Sequence, residues 1–418
     1  MFTIALSDDC GSIFTEPHIE ALARIGQDKV GFNDQDVIPI PAGSSFMLLP
    51  GRTPLGKLRK KKKTKTIPVN QVENHNVFPA AVVLPPGYTR TLLPCYNKRK
   101  KAPVLPFYAY TALAWQGEEL VCGAVLTHKD LRWDPAMYNS LELPTKIKLK
   151  KKKHPGNRLL DHLERCSLEY RCFTAQNIFY ERWEGGIPTS ASCNARCVGC
   201  ISESRVESVP SPQERIKFVP ASDEIADLAV DHLKNEGGII SFGQGCEGEP
   251  LTRADLILEA IEKTRGQTGS GTLNINTNGS MPEKLDKMFK AGLDSARISL
   301  NSAIKERYHQ YFQPQNYQFE DVVKSVDTGL ELGKYISLNF LYMPGINDRE
   351  EEMEAFFEFL GRHKVNMIQF RNLNIDPDYY FQFMPTPQGK ALGTVEYIEK
   401  LKNEFPDIKI GNFSVPVR

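Results

Sequence analysis

Ser192-Cys193-Asn194-Ala195-Arg196-Cys197-Val198-Gly199-Cys200 gathers three of the chain's nine cysteines into one short stretch. Thiolates are soft ligands, suited to zinc or to iron-sulfur clusters, and gaps of three and two residues let their sulfurs converge on one centre. A structural zinc site uses four protein ligands, and an electron-transfer cluster commonly has four cysteines. Three therefore point to a position kept open for another ligand, or to a zinc site with a distant fourth residue.

Downstream of this stretch the sequence alternates regularly between strand and helix patterns. Gly186 to Ser192 reads as a short strand feeding the cysteine loop. A helix opens at Ser222, with Asp223 and Glu224 in its first turn, and stops at Gly237-Gly238. Ile239 to Phe242 is the next strand, followed by the glycine-rich loop Gly243 to Pro250 and a helix starting near Thr252 and Asp255. Further strands are expected at 272–276, 296–300, 336–342 and 365–371, with helices at 282–291, at 319–332 and around Met353, Phe356, Phe357 and Leu360. Strands alternating with helices imply parallel pairing, and right-handed crossovers curl six such units into a full or partial barrel. In such barrels the chemistry gathers at the carboxyl ends of the strands. On this frame the cysteines, Gly248-Glu249-Pro250, Asn276-Thr277-Asn278-Gly279 and Arg297 to Asn301 all open onto one rim.

With the C-x3-C-x-x-C loop first and six units in this order, residues from about Gly186 to Arg371 resemble the radical S-adenosylmethionine (radical SAM) superfamily. The fold this implies is α/β: a partial (β/α)6 barrel, here preceded by a mostly-β N-terminal domain. The resemblance implies that Cys193, Cys197 and Cys200 hold a 4Fe-4S cluster, with one iron left for the amino and carboxylate groups of S-adenosylmethionine. Gly199 would let backbone approach the adenine. Gly248 and Glu249 look like the last two residues of a Gly-Gly-Glu motif, whose leading glycine is Glu247 here, and Glu249 would meet the ammonium group. Asn276, Ser299 and Asn301 resemble strand-end positions that bond the ribose or carboxylate, and Arg371 faces the carboxylate or the substrate. The implied activity is reductive cleavage of S-adenosylmethionine to a 5′-deoxyadenosyl radical, which takes a hydrogen atom from a substrate. No catalytic acid or base is evident. Oxidoreductase and transferase outcomes both remain open, and the implied partner is an electron donor such as flavodoxin or ferredoxin.

Working outward to the whole chain, 418 residues suffice for two or three domains, and 41% hydrophobic with 25% charged residues is the composition of an ordinary globular protein, so disorder is not expected. No apolar run is long enough for a membrane span, and Asp8 and Asp9 interrupt any secretory signal, so a cytoplasmic protein without membrane contact is expected. The expected division is a basic accessory or substrate-binding domain over 1–185, a core over 186–385, and a helix-and-strand extension over 386–418. The first 185 residues are mostly short apolar segments broken by Pro and Gly, with helices expected only at Pro17 to Ile25 and Leu159 to Leu168. Cys166 and Cys172 read as buried small residues rather than a second metal site, and Cys246 as a packing residue rather than a hydrogen-atom donor. No cysteine follows Cys246, so a C-terminal extension has no thiolates for auxiliary clusters.

A net charge of +1 conceals an asymmetry: residues 1–185 hold 27 basic against 18 acidic side chains, and residues 186–418 hold 25 against 33. The excess sits largely in the runs Lys57 to Lys65, Lys98 to Lys101 and Lys146 to Lys153, expected as solvated hairpin tips or loops. The substrate class stays open between small molecule, peptide and RNA. Two other classes compete with the enzyme: a non-catalytic iron-sulfur binding protein, and a nucleic-acid-binding protein acting through the basic domain.

Overall fold

The computed structural model describes residues 1–58, 66–69, 71–72 and 75–418. The Lys57 to Lys65 run, apart from Lys57 and Leu58, lies outside the described residues. Two sheets organise the molecule. Residues 2–122 build an antiparallel sheet whose central path runs Tyr96–Lys98, Arg52–Leu58, Ile13–Ile25, Phe2–Ser7, Phe78–Val83, Thr111–Gln116, Glu119–Cys122 and Ile38–Pro39. The expected helix at Pro17 to Ile25 is the second half of strand Ile13–Ile25. Ile19, Leu22 and Ile25 fit a helical period, but Ile19, Ala21 and Ala23 fit a strand period equally, and pairing along both edges of the strand decides for the strand.

Three helices follow, Leu143–Lys153, Leu159–Leu168 and Phe173–Tyr180, of which only the middle one was expected. The first contains the Lys146 to Lys153 run, so that run is neither loop nor hairpin tip. Lys150 is buried and bonds Glu181 at 2.9 Å and Asp231 at 2.6 Å, Lys151 pairs with Asp161 and Glu164, and Lys153 pairs with Asp231. Ile147 and Leu143 anchor the same helix in the core.

The second sheet is parallel and runs in chain order: Glu184–Gly186, Ile239–Phe242, Thr272–Thr277, Ser295–Leu300, Tyr335–Tyr342, Met367–Asn372 and Lys409–Gly411. Its first strand lies earlier than the expected Gly186 to Ser192, because only Glu184 to Gly186 find parallel partners. Residues on one face of the third to sixth strands are apolar and pack under the helices (Ile275, Ala296, Ile298, Leu338, Phe340, Ile368, Phe370). The other face carries Asn274, Asn276, Ser295, Arg297, Ser299, Ser337, Asn339, Gln369 and Arg371. That strict alternation makes the barrel interior polar.

The first and last strands do not pair, so the barrel is open on one side. The N-terminal region and the tail close it. Trp133 stacks on Phe413 with centroids 5.0 Å apart, His128 Nδ1 accepts from Asn412 N at 3.1 Å, and Ser414 Oγ donates to Glu184 at 3.0 Å. Elsewhere Arg52 pairs with Asp376 at 2.6 Å, both side chains fully buried, and Arg24 with Asp378 at 3.2 Å. Gly345, at φ +79°, lies so close to Gly26 that a Cβ there would stand 2.1 Å from the Gly26 nitrogen. Among the described residues no helix is long and apolar enough to cross a membrane.

Candidate active site

The cysteine loop is held from two sides. Arg196 N donates to Phe312 O and Val198 N to Tyr311 O, both at 2.9 Å, which fastens it to the end of helix Lys305–Phe312. On the other side Gly248 N donates to Ser190 O at 2.7 Å and Glu249 N to Ser192 O at 2.9 Å. This contact explains Gly248: a Cβ there would stand 2.0 Å from the Ser192 carbonyl oxygen. Gly199 packs on Tyr311, whose hydroxyl would lie 3.0 Å from an added Cβ.

The departure at Glu247 is structural. Its buried carboxylate accepts from Thr189 N (2.7 Å), Thr189 Oγ1 (2.9 Å), Ser190 N (3.1 Å), Gly243 N (2.6 Å) and Gln244 N (2.8 Å). One side chain thus ties the exit of the first strand to the exit of the second. Two residues on, Glu249 accepts from Leu251 N (3.0 Å), Thr277 Oγ1 (2.5 Å) and Asn278 N (2.8 Å). Burial outweighs these donors and pushes its carboxyl up to about 7. Asn194, inside the cysteine loop, donates to Ser280 Oγ and accepts from Asn278 Nδ2, each at 2.8 Å.

Cys193, Cys197, Cys200, Gly199, Gly248, Glu249, Asn276, Ser299 and Arg371 line one cavity of about 420 Å³. Asn301 does not line it. Its amide donates to Arg307 O at 3.3 Å and its carbonyl accepts from Asn347 Nδ2 at 2.7 Å, so it braces the loop after the fourth strand. Cys246 is likewise absent from the cavity wall and turns toward the helix Leu159–Leu168.

Arg297, which the sequence placed on the rim without a role, also faces the cavity, as do Asn339, Tyr311 and Asn374, which it did not single out. The signal for Arg297 was its polar alternation with Ser295 and Ser299. Gln369 Oε1 accepts from Arg297 Nη1 at 2.9 Å and from Arg371 Nη2 at 3.0 Å. Burial, then Arg297, pulls the Arg371 guanidinium down to about 9, while Glu184 opposes that pull. Arg297 Nε and Asn276 Nδ2 are buried donors with no acceptor. Such groups cost free energy unless a ligand supplies the acceptor.

The donor set fits an iron-sulfur cluster with a ligand beside it. Burial pushes the Cys193 thiol up to about 11 and raises the Cys197 thiol well above its ordinary value, so a cation that displaces their protons favours thiolates there. Among the described residues, the groups whose ligand atoms all lie within 4.8 Å of one another are His162-Cys166-Cys246 and Asp8-Asp9-Cys10. The three loop thiols instead bound a wider space, suited to a multi-iron body rather than a single ion. Arg215 stands beside it, 3.8 Å from Cys200 Sγ.

A second chamber, also about 420 Å³, adjoins the first through Gln244, Arg297 and Arg371. Its walls include Trp133, Tyr170, Phe173 and Phe413, so the region before residue 185 furnishes most of its aromatic surface.

Residues 187–360 match the family model of the radical SAM superfamily. The chain is similar to the mitochondrial GTP 3′,8-cyclase of Arabidopsis thaliana, 28% identical over 232 residues that cover 53% of this chain and 53% of that one. It is 30% identical over 224 residues to the GTP 3′,8-cyclase of Lactiplantibacillus plantarum, covering 52% of this chain and 58% of that one. The chain thus spans just over half the length of these relatives. A crystal structure of methylornithine synthase overlaps it with a TM-score of 0.39 at 16% identity, covering 64% of this chain and 74% of that one. Residues 187–360, which carry the three thiols and the buried glutamate beside them, form a radical SAM superfamily domain.

Proposed function

We propose that the chain is a radical SAM enzyme acting on a small anionic molecule, with a purine nucleoside triphosphate as the first substrate to test. When bound, the cluster and S-adenosylmethionine supply a carbon radical able to remove a hydrogen atom from an unactivated C–H bond, given one electron from an external donor. The observation that carries this reading is the shared wall of the two chambers. Cys193, Cys197 and Cys200 stand on the cluster side, and Arg297 and Arg371 divide that side from the aromatic chamber.

Glu249 offers a carboxylate to an ammonium group, and Asn276 Nδ2 offers a free donor to a carboxylate or ribose oxygen. Gly199 and Gly248 bring backbone to the cavity wall. Arg297 and Arg371 present two guanidiniums with one neutral acceptor between them, an arrangement that favours phosphate or carboxylate. Trp133, Phe173 and Phe413 offer flat apolar surface to a base or other planar group.

The relatives' names specify GTP. A second reading keeps the chemistry and changes the substrate, because much of the second chamber's wall comes from residues before 187, outside the matched domain. Anaerobic reconstitution, reduction with dithionite and chromatography for 5′-deoxyadenosine tests both. Formation stimulated by GTP, with a new GTP-derived product, supports the nucleotide reading. Formation that GTP leaves unchanged removes GTP and keeps the enzyme; no formation, with Cys197→Ala identical to wild type, removes the enzyme.

A further inference from the structure

The helix Leu159–Leu168 carries His162 and Cys166 one turn apart, both facing the glycine-rich loop that follows the second barrel strand. Cys246, from that loop, meets them. His162 Nε2 lies 3.4 Å from Cys166 Sγ, and the ligand atoms of all three residues fall within 4.8 Å of one another. Cys166 is fully buried and Cys246 is 3% exposed, while His162 is half-buried at the rim. We propose that His162, Cys166 and Cys246 form a second metal site, separate from the cysteine loop, that binds a single zinc-class ion.

The chemistry of the set decides the ion. Two thiolates and an imidazole are borderline-soft N/S donors, the combination zinc takes in tetrahedral sites. Ligands at ordinary zinc bond lengths stand about 3.5–3.8 Å apart along the edges of a tetrahedron. The group therefore needs only small side-chain adjustments to close on one ion, and its thiols are too close together to sit on separate irons of a 4Fe-4S body. A fourth position falls to solvent or to Cys172, which is tied to this helix end by Cys172 N donating to Cys166 O at 3.0 Å.

Its place in the fold gives the site a purpose. Cys246 directly precedes Glu247, whose carboxylate gathers the first two strand exits, and Gly248 and Glu249, which support the cysteine loop. Ile216 N also donates to Cys246 O at 2.8 Å. An ion bound here staples a helix outside the matched domain to the loop that frames the active site.

The test uses the full chain with Cys193, Cys197 and Cys200 all replaced by alanine, which removes the catalytic cluster. Elemental analysis after expression with zinc is expected to find about one zinc per chain. Cobalt added to the metal-stripped triple variant is expected to give thiolate-to-cobalt charge-transfer absorption. Adding Cys166→Ser and Cys246→Ser should weaken zinc binding by at least about tenfold. Should that variant fail to fold, the cobalt spectrum of the triple variant decides alone. Substoichiometric zinc with no cobalt-thiolate absorption overturns the proposal. So does a Cys166–Cys246 disulfide in protein isolated without added oxidant, seen by mass spectrometry as a loss of two hydrogens.

Discussion

Arg297 and Arg371 converge on one carbonyl oxygen, that of the Gln369 side chain, from strands that are two places apart in the parallel sheet. Two cations share a neutral acceptor, with the Glu184 carboxylate, among the described residues, as the one anion acting on both, so positive charge is in excess there and an anionic substrate group offsets it. Arg371→Gln and Arg297→Gln are each expected to raise KM for the anionic substrate by about 10–100-fold, the worth of one charge-assisted hydrogen bond. Steady-state kinetics against substrate concentration checks this; an unchanged KM in both variants would mean the pair serves only the fold.

Glu247 and Gly248 make a different kind of prediction, because Glu247 acts at a distance from the cavity wall. Glu247→Gln turns one acceptor oxygen into a donor facing backbone N–H groups, and is expected to cost about 2–4 kcal/mol of stability. Gly248→Ala forces a methyl group against the Ser192 carbonyl and should displace the cysteine loop. Iron content after reconstitution and calorimetric titration of S-adenosylmethionine are the measurements. Both variants should lose cluster occupancy, although neither removes a thiol.

The buried pair Arg52–Asp376 joins the antiparallel sheet to the barrel. Arg52→Met leaves the Asp376 carboxylate with only the Leu105 and Asp378 backbone N–H groups, at 2.9 Å each. The expected loss is about 3–5 kcal/mol by chemical denaturation, and Arg52→Met with Asp376→Asn together should recover part of it.

Glu352 supplies a pH signature away from the cluster. Burial pushes its carboxyl up to about 7, against the pull of Ser302 and Arg307. The sign follows from linkage: the folded state holds this proton to a higher pH than the unfolded chain does. The contribution is therefore fully present below the unfolded value near 4.5 and is lost as pH rises through about 7. Glu352→Gln should remove up to ~3 kcal/mol of this decline. Melting curves of wild type and variant at pH 5 and pH 8 check it, and the advantage of the variant must grow with pH.

The half-barrel was legible because each of its signals is local. Pro282 at a helix start, Gly237-Gly238 just before a strand and short β-branched runs at even spacing fix strand and helix order without knowledge of contacts, although the helix before those glycines already ends at His232. What stayed hidden was non-local. The residues Ile19 to Ile25 fit two periods, and only partner strands choose between them. The helix Leu143–Lys153 is mostly lysine, and its stability comes from carboxylates 10 to 81 positions away. Arg297 was visible as a charge alternating in step with Ser295 and Ser299, yet its convergence with Arg371 needs the barrel to exist first. Asn301 failed for the same reason in reverse: its position in the chain suits the rim, but Asn347 and Arg307 draw it away.

The lysine helix carries one more consequence. Lys150 and Lys153 meet Asp231, Arg158 meets Glu224, and Arg52 and Arg24 meet Asp376 and Asp378. In each pair the cation comes from the first 185 residues and the anion from those that follow. These pairs form a complementary seam between the two halves. Expressed apart, the halves would be sticky polyelectrolytes of opposite sign, and their reassociation would weaken with added salt wherever the pairs lie near the surface.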